Sequence, residues 1–377
     1  MKVKERSGAG RIHGRLVAIV VAILLACACV IPASARQGAP PDLIEPGTQN
    51  PKTSTLELPA AQPFSPQGRG AVTIPPQVLQ SQPQPQKTGI PYFQLRQQPG
   101  YEEVTVTVTD HNGGYVTGLK QDDFKLYIDG KPVPVQFLHQ DSDTPVSVGI
   151  VVDTSGSMDD KLQQAEASII WFLRDLDDQD DVFLTAFSSH VFLLQPFTTN
   201  HGLVMSRLKL LLAGGQTVLF DAIMKGLQTV RFGRYDKKAM LVVTDGIDET
   251  SVSYSLNDVI AQAKRMHVLV YSIGIGDPNL PGGWAGVIKN DEGVDAKTLT
   301  TLSTETGAKT FIINKIGDGA AMRTACETIS REMQSQYTLG FVAPDPGAGG
   351  YRGVRVETPG KPGVEVRVRK GVEVGSR

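Results

Sequence analysis

Val148-Gly149-Ile150-Val151-Val152-Asp153-Thr154-Ser155-Gly156-Ser157-Met158 is an apolar, β-branched run that stops at one carboxylate and two regularly spaced hydroxyls. Such a run reads as a strand buried on both faces. A helical pattern follows, so Asp153-x-Ser155-x-Ser157 places three oxygen donors on a strand-to-helix loop, where open α/β sheets commonly hold ligands. The spacing predicts a divalent-cation site. Mg²⁺ is the expected ion, with Mn²⁺ or Ca²⁺ as alternatives.

Two later segments belong with the first. Gly214-Gly215-Gln216-Thr217-Val218 opens a helix, and Leu241-Val242-Val243-Thr244-Asp245-Gly246 is a second apolar strand ending on a carboxylate. Any one of these pieces alone reads as a cap or a turn, because Asp, Ser and Thr satisfy exposed backbone N–H groups. Together, each at an element boundary, they favour a metal site. At this point the chain resembles the von Willebrand factor type A family, whose metal-ion-dependent adhesion site combines a D-x-S-x-S motif with a distant threonine and a distant aspartate. By motif the counterparts are Asp153, Ser155, Ser157, Thr217 and Asp245. The resemblance implies that the serines and the threonine ligate the metal directly, while the aspartates often act through water.

Hydroxyls and water neutralise a divalent ion poorly, so a site with few directly bound carboxylates leaves the ion electrophilic and its open position attractive to a carboxylate. The expected function is therefore an exported adhesion or protein-binding module that presents Mg²⁺ to an Asp or Glu of a protein partner. Asp221, Asp248 and Glu249 read as solvated or capping carboxylates beside it. A structural envelope scaffold whose loops bind no metal is the alternative. A metal-dependent hydrolase ranks below both: the three loops supply no histidine, lysine or cysteine, and the chain has no G-x-S-x-G or H-E-x-x-H motif. The expectation is thus a non-enzyme with no catalytic residues. Gly274-Ile275-Gly276-Asp277-Pro278 lacks the third spaced glycine and the Lys-Ser/Thr of a phosphate loop.

Around this centre, residues 145–334 alternate strand and helix, the mark of an α/β fold with a doubly wound, mostly parallel, Rossmann-like sheet. Helical stretches are expected at 161–176, 203–213, 219–232, 256–266, 296–305 and 319–336. Strands are expected at 182–187, 191–194, 239–244, 268–275 and 309–313. Trp171 and Phe172 read as core residues. The segment 277–293 reads as a long loop on the metal-bearing edge, carrying Trp284.

The flanks are β-rich. Val104-Thr105-Val106-Thr107-Val108-Thr109 alternates strictly and Asp129-Gly130 signals a hairpin, but residues 91–144 hold too few strands for a stable sheet. Strand patterns return at 335–377, so the two ends are expected to pair into a small β-sandwich into which the α/β domain is inserted. The basic residues Arg352, Arg355, Lys361, Arg367, Arg369 and Lys370 read as the wet face of those strands. This arrangement resembles the von Willebrand factor A-related proteins of acidobacterial type, through Asp110, Gly113, Val116, Leu119, Asp122-Asp123-Phe124, Gly130 and Arg369-Lys370-Gly371.

At the amino end, Lys2, Lys4, Arg6, Arg11 and Arg15 precede the apolar run Leu16 to Ile31, and Ala33-Ser34-Ala35 supplies a small-x-small cleavage pattern. Residues 1–35 are expected to be an export signal, leaving a periplasmic or extracellular chain. An uncleaved anchor, or lipidation at Cys27, would tether it to the envelope. Residues 36–90 are rich in Pro and Gln and read as a spacer that cannot bury a core. Of the three cysteines only Cys326 lies beyond the signal, and it reads as a small buried hydrophobe. A formal charge of −2 gives no electrostatic case for nucleic acid.

Overall fold

A short helix α1 (Tyr92–Leu95) leads into β1 (Tyr101–Asp110), β2 (Lys125–Ile128), β3 (Lys131–Val133) and β4 (Phe137–Gln140). The chain continues through β5 (Ser147–Asp153), a 3-10 turn (Gly156–Lys161), α2 (Leu162–Asp175), β6 (Asp181–Phe187), β7 (Val191–Thr198), α3 (His201–Leu208) and α4 (Leu219–Val230). Then come β8 (Lys238–Thr244), α5 (Leu256–Arg265), β9 (Val268–Ile275), β10 (Gly283–Ala285), β11 (Ile288–Asn290), α6 (Ala296–Thr306), β12 (Thr310–Ile313) and α7 (Gly319–Gln334). It closes with β13 (Tyr337–Val342), β14 (Gly350–Glu357), β15 (Val364–Val368) and β16 (Gly371–Val374). This computed structural model describes residues 92–375 except 281–282, 286–287, 291–292 and 315–316. The expected export signal (1–35) and spacer (36–90) lie outside the described residues.

The apolar part of the quoted run, through Asp153, lies in β5, and every residue of β5 is buried. It lies inside a six-stranded sheet of order β12-β9-β8-β5-β6-β7, parallel throughout except for the β6–β7 pair. Burial on both faces follows from helices on both sides. Val148, Ile150 and Val152 pack with Ile169 and Phe172 of α2 and with Met322 and Cys326 of α7. On the opposite face, Val151 and Phe183 pack with Ile223 and Leu227 of α4, Val259 of α5 and Leu302 of α6. Gly149 is where the Phe183 ring crosses the sheet: a Cβ there would meet ring carbons at 2.5 Å.

Strand order decides where a ligand can sit. From β5 the chain steps through α2 to β6 on one side, and later returns to β8 on the other. The ends of β5 and β8 therefore flank a topological switch point, where diverging crossovers leave a crevice at the carboxyl edge. Asp153 is the last residue of β5, and Asp245 directly follows β8.

The flanking strands form two four-stranded antiparallel sheets, β15-β1-β13-β4 and β16-β14-β2-β3. Both contribute to one core, with Val104, Val106, Leu339 and Phe341 from the first and Leu126, Ile128, Val356 and Val372 from the second. The turn between β2 and β3 uses Asp129 and Gly130 at φ 49° and 78°, the left-handed pair that a tight hairpin requires.

Several expectations are corrected. The stretch before α2 is a 3-10 turn ending at Lys161, and α2 begins at Leu162. Helix α3 ends at Leu208 rather than reaching Ala213; Leu210 and Leu212 beyond it are exposed, while Leu211 packs against the core outside any helix. The segment 277–293 is not a plain loop: it contains the β10–β11 hairpin, and Asp277 bridges Gly293 in parallel. The side chain of Trp284 is outside the described residues. Trp171 is only half-buried, with the Arg323 guanidinium over its ring at 3.8 Å. Nor are all the C-terminal basic residues on a wet face. Arg369 is buried and donates to Lys264 O at 3.0 Å, and Arg367 pairs with the buried Glu332 of α7. Cys326, by contrast, is buried as expected; its thiol donates to Ser168 O at 3.1 Å, and burial pushes that thiol up to about 12.

Candidate metal centre

Three loops meet at the switch point and are stitched together by backbone. Gly214 N–H donates to Thr154 O at 2.8 Å and Gly156 N–H to Gly215 O at 2.9 Å, which ties the Thr217 loop to the Asp153 loop. Glu249 and Thr250 N–H groups donate to Thr217 O, both at 3.0 Å, which ties it to the Asp245 loop. Gly246 is held at φ 81°, and a Cβ there would approach Asp295 O to 2.9 Å, so this turn takes glycine for both conformation and space.

Asp153, Ser155, Thr217 and Asp245 are buried, and Ser157 is half-buried. Ser155 Oγ and Ser157 Oγ are 3.1 Å apart. Ser155 N–H donates to Asp153 Oδ1 at 2.8 Å, an Asx-type closure that fixes the first serine over the strand end. Burial first, and then the charge of Asp245, push the Asp153 carboxyl up to about 7. Thr217 is held by its carbonyl and by its loop. All five expected residues thus lie on three loops joined at one sheet edge.

Two residues of the site had no motif to announce them. Thr244 Oγ1 donates to Asp153 Oδ2 at 2.6 Å and accepts from Gly246 N–H at 3.0 Å, so it links the two acidic strand ends. Lys161 is buried, its Nζ 3.4 Å from Asp245 Oδ2 and 3.4 Å from Gly293 O. This corrects the expectation that no lysine stands beside these loops; the lysine arrives from the far end of the 3-10 turn rather than from a loop tip. Its only sequence mark is a basic residue opening an apolar helix, which normally reads as solvated.

Asp221 and Asp248 clamp the loops. Asp221 accepts from the N–H groups of Val252, Ser253 and Tyr254 at 3.4, 3.2 and 3.0 Å. Asp248 accepts from Phe220 N–H at 3.2 Å and from Ser251 Oγ at 2.6 Å. Asp295 caps α6 through Thr298 N–H at 3.0 Å, while its own N–H donates to Asp245 O at 2.8 Å.

The donor set suits a small hard cation. A six-coordinate Mg²⁺ with bonds of roughly 2.0–2.1 Å has neighbouring oxygens about 3 Å apart, the spacing of the two serine hydroxyls. Two buried carboxylates supply the negative charge that such an ion would offset. Among the described residues there is no group of three or more His, Cys, Asp or Glu that could hold a metal ion by themselves.

The model for the von Willebrand factor type A domain matches residues 147–321. No curated protein matches the chain. Solved structures similar to it include BatB from Bacteroides thetaiotaomicron, at 20% identity over 50% of this chain and 100% of that one, TM-score 0.40. A von Willebrand factor type A protein from Catenulispora acidiphila is 12% identical over 74% of each chain, TM-score 0.43. The PilB minor pilin from Streptococcus sanguinis is 16% identical over 52% of this chain and 62% of that one, TM-score 0.37.

Proposed function

We propose, from the premise that residues 147–321 form a von Willebrand factor type A domain, that this chain is a protein-binding module whose contact point is a divalent cation. Ser155, Ser157 and Thr217 would hold Mg²⁺, with Asp153 and Asp245 behind them, and an Asp or Glu of a protein partner would complete the coordination. The observation that carries this reading is the pair of buried carboxylates at the switch point, capped by two hydroxyls 3.1 Å apart. Bound there, the ion supplies an electrophilic position for a carboxylate. The protein's part is to fix the hydroxyls and exclude competing charge.

Exposed apolar side chains occur at the same edge. Leu212 and Val252, on two of the three loops, are 85% and 91% exposed, and Phe192, paired in register with Ala186 near the end of β6, is 54% exposed. Large exposed apolar groups beside an ion suit contact with a protein surface. Export and envelope location remain part of the proposal on the strength of residues 1–35. Among the described residues no helix is long and apolar enough to cross a membrane.

One observation favours a scaffold without metal: Thr244 and Lys161 already give Asp153 and Asp245 polar partners. Turnover chemistry has less support, since Lys161 is engaged by Asp245 Oδ2 and Gly293 O, both at 3.4 Å. Capture of envelope proteins on immobilised chain, with Mg²⁺ or EDTA and with wild type or Asp153→Ala, separates the readings. A partner retained only by wild type in Mg²⁺ is expected; equal retention under all conditions would leave the scaffold.

A further inference from the structure

Lys161 closes the same 3-10 turn that carries Ser157, so one short segment delivers both a hydroxyl and an ammonium to the site. Its side chain is 1% exposed, and Asp245 opposite is 0% exposed. Burying an ammonium is costly unless it is paired, and two buried carboxylates at one strand edge repel each other unless a positive charge stands near. Neither Thr244 nor the serine hydroxyls can supply that charge. Lys161 can, and its second contact, Gly293 O at 3.4 Å, holds the ammonium on the side of Asp245 where the segment 277–293 returns to the sheet.

Resting on the reading of this edge as a divalent-cation site, we propose that Lys161 is a built-in counter-charge. It keeps the paired carboxylates assembled before an ion arrives, and it weakens the hold on the ion once bound. Metal binding needs both carboxylates ionised, and two carboxylates, one ammonium and a divalent ion then sum to one net positive charge. Without the lysine the loaded site would be neutral. A net positive site is what an incoming carboxylate requires, so the lysine exchanges metal affinity for attraction towards an acidic ligand.

The experiment uses the full mature chain as wild type, Lys161→Met, Lys161→Arg and Lys161→Met/Asp245→Asn, with melting curves in EDTA and calorimetric titration with Mg²⁺ alone. Lys161→Met should melt lower than wild type in EDTA and bind Mg²⁺ at least about tenfold more tightly, since a like charge has left the ion's surroundings. Lys161→Arg should behave as wild type in both. The double variant should recover the melting temperature in EDTA. If Lys161→Met does not fold but the double variant does, the counter-charge role is supported; if neither folds, the lysine is a packing residue and the proposal is overturned. Mg²⁺ affinity unchanged or weakened in Lys161→Met overturns it too, because the lysine would then only orient Asp245. In that case wild-type binding of Mg²⁺ leaves the metal site itself standing, whereas no wild-type binding removes both.

Discussion

Asp153 illustrates how much one side chain can hold and how its chemistry can be tested. It ends a fully buried strand, accepts from Ser155 N–H and Thr244 Oγ1, and is raised to about 7 by burial and by Asp245. A carboxyl whose folded pKa exceeds its unfolded value, about 3.9, favours the folded state fully below the unfolded value. That contribution is lost as pH climbs through the window from about 4 to about 7. In EDTA the melting temperature should accordingly fall across this window. Metal binding needs the ionised form, so Mg²⁺ affinity should rise up to about tenfold per pH unit below pH 7 and level off above it. Calorimetric titration at several pH values measures this, and a flat profile would contradict the assignment of Asp153. Asp153→Asn should abolish the Mg²⁺ response yet leave the EDTA melting temperature within a few degrees of wild type or above it, since the variant removes a buried charge and keeps the shape. The D-x-S-x-S spacing marked this position, at the end of a buried strand, in the sequence. Thr244 and Lys161 were not marked, because their roles arise only when β8 and the 3-10 turn are brought beside β5 in space.

At the scale of elements, periodicity located the strand starts to within a residue, although the strand expected to end at Leu194 runs on to Thr198. The expected 268–275 strand is β9 itself, and β6 and β8 each begin one residue before their expected starts. Apolar runs buried on both faces leave little ambiguity about register or extent. Helix ends were less legible, as the early stop of α3 at Leu208 shows. The hairpin within 277–293 has no alternating apolar pattern to reveal it. Nor did the sequence reveal how α7 is anchored. Glu332 of α7 is 1% exposed, receives the Tyr271 hydroxyl of β9 at 2.8 Å and pairs with Arg367 of β15. Removing one partner of a buried pair strands the other, so Arg367→Ala should destabilise the fold by about 3–5 kcal/mol, while a joint change to Gln at 332 and Met at 367 should recover much of it. Urea unfolding measures both, and a cost below about 1 kcal/mol for Arg367→Ala would contradict a structural role for the pair. On the sheet, Gly149→Ala should cost about 1–3 kcal/mol by driving a methyl into the Phe183 ring.

For the whole molecule, the chain returns after α7 to complete a sheet begun before β5. Strand β1 is bonded on one side to β13 and on the other to β15. Truncation after Gln334 would strip it of both neighbours and expose Val104, Val106 and Val108. Limited proteolysis of that truncation should cut rapidly within residues 101–140, while the same sites in the full chain stay protected. The proposal that Ser155, Ser157 and Thr217 hold a divalent ion between them is tested most sharply by anomalous scattering from crystals of the chain grown with Mn²⁺. An anomalous peak is expected roughly 2.2 Å from the three hydroxyl oxygens, with Asp153 and Asp245 facing it. An anomalous map empty at that point, with the three hydroxyls hydrogen-bonded to one another or to water, would contradict it.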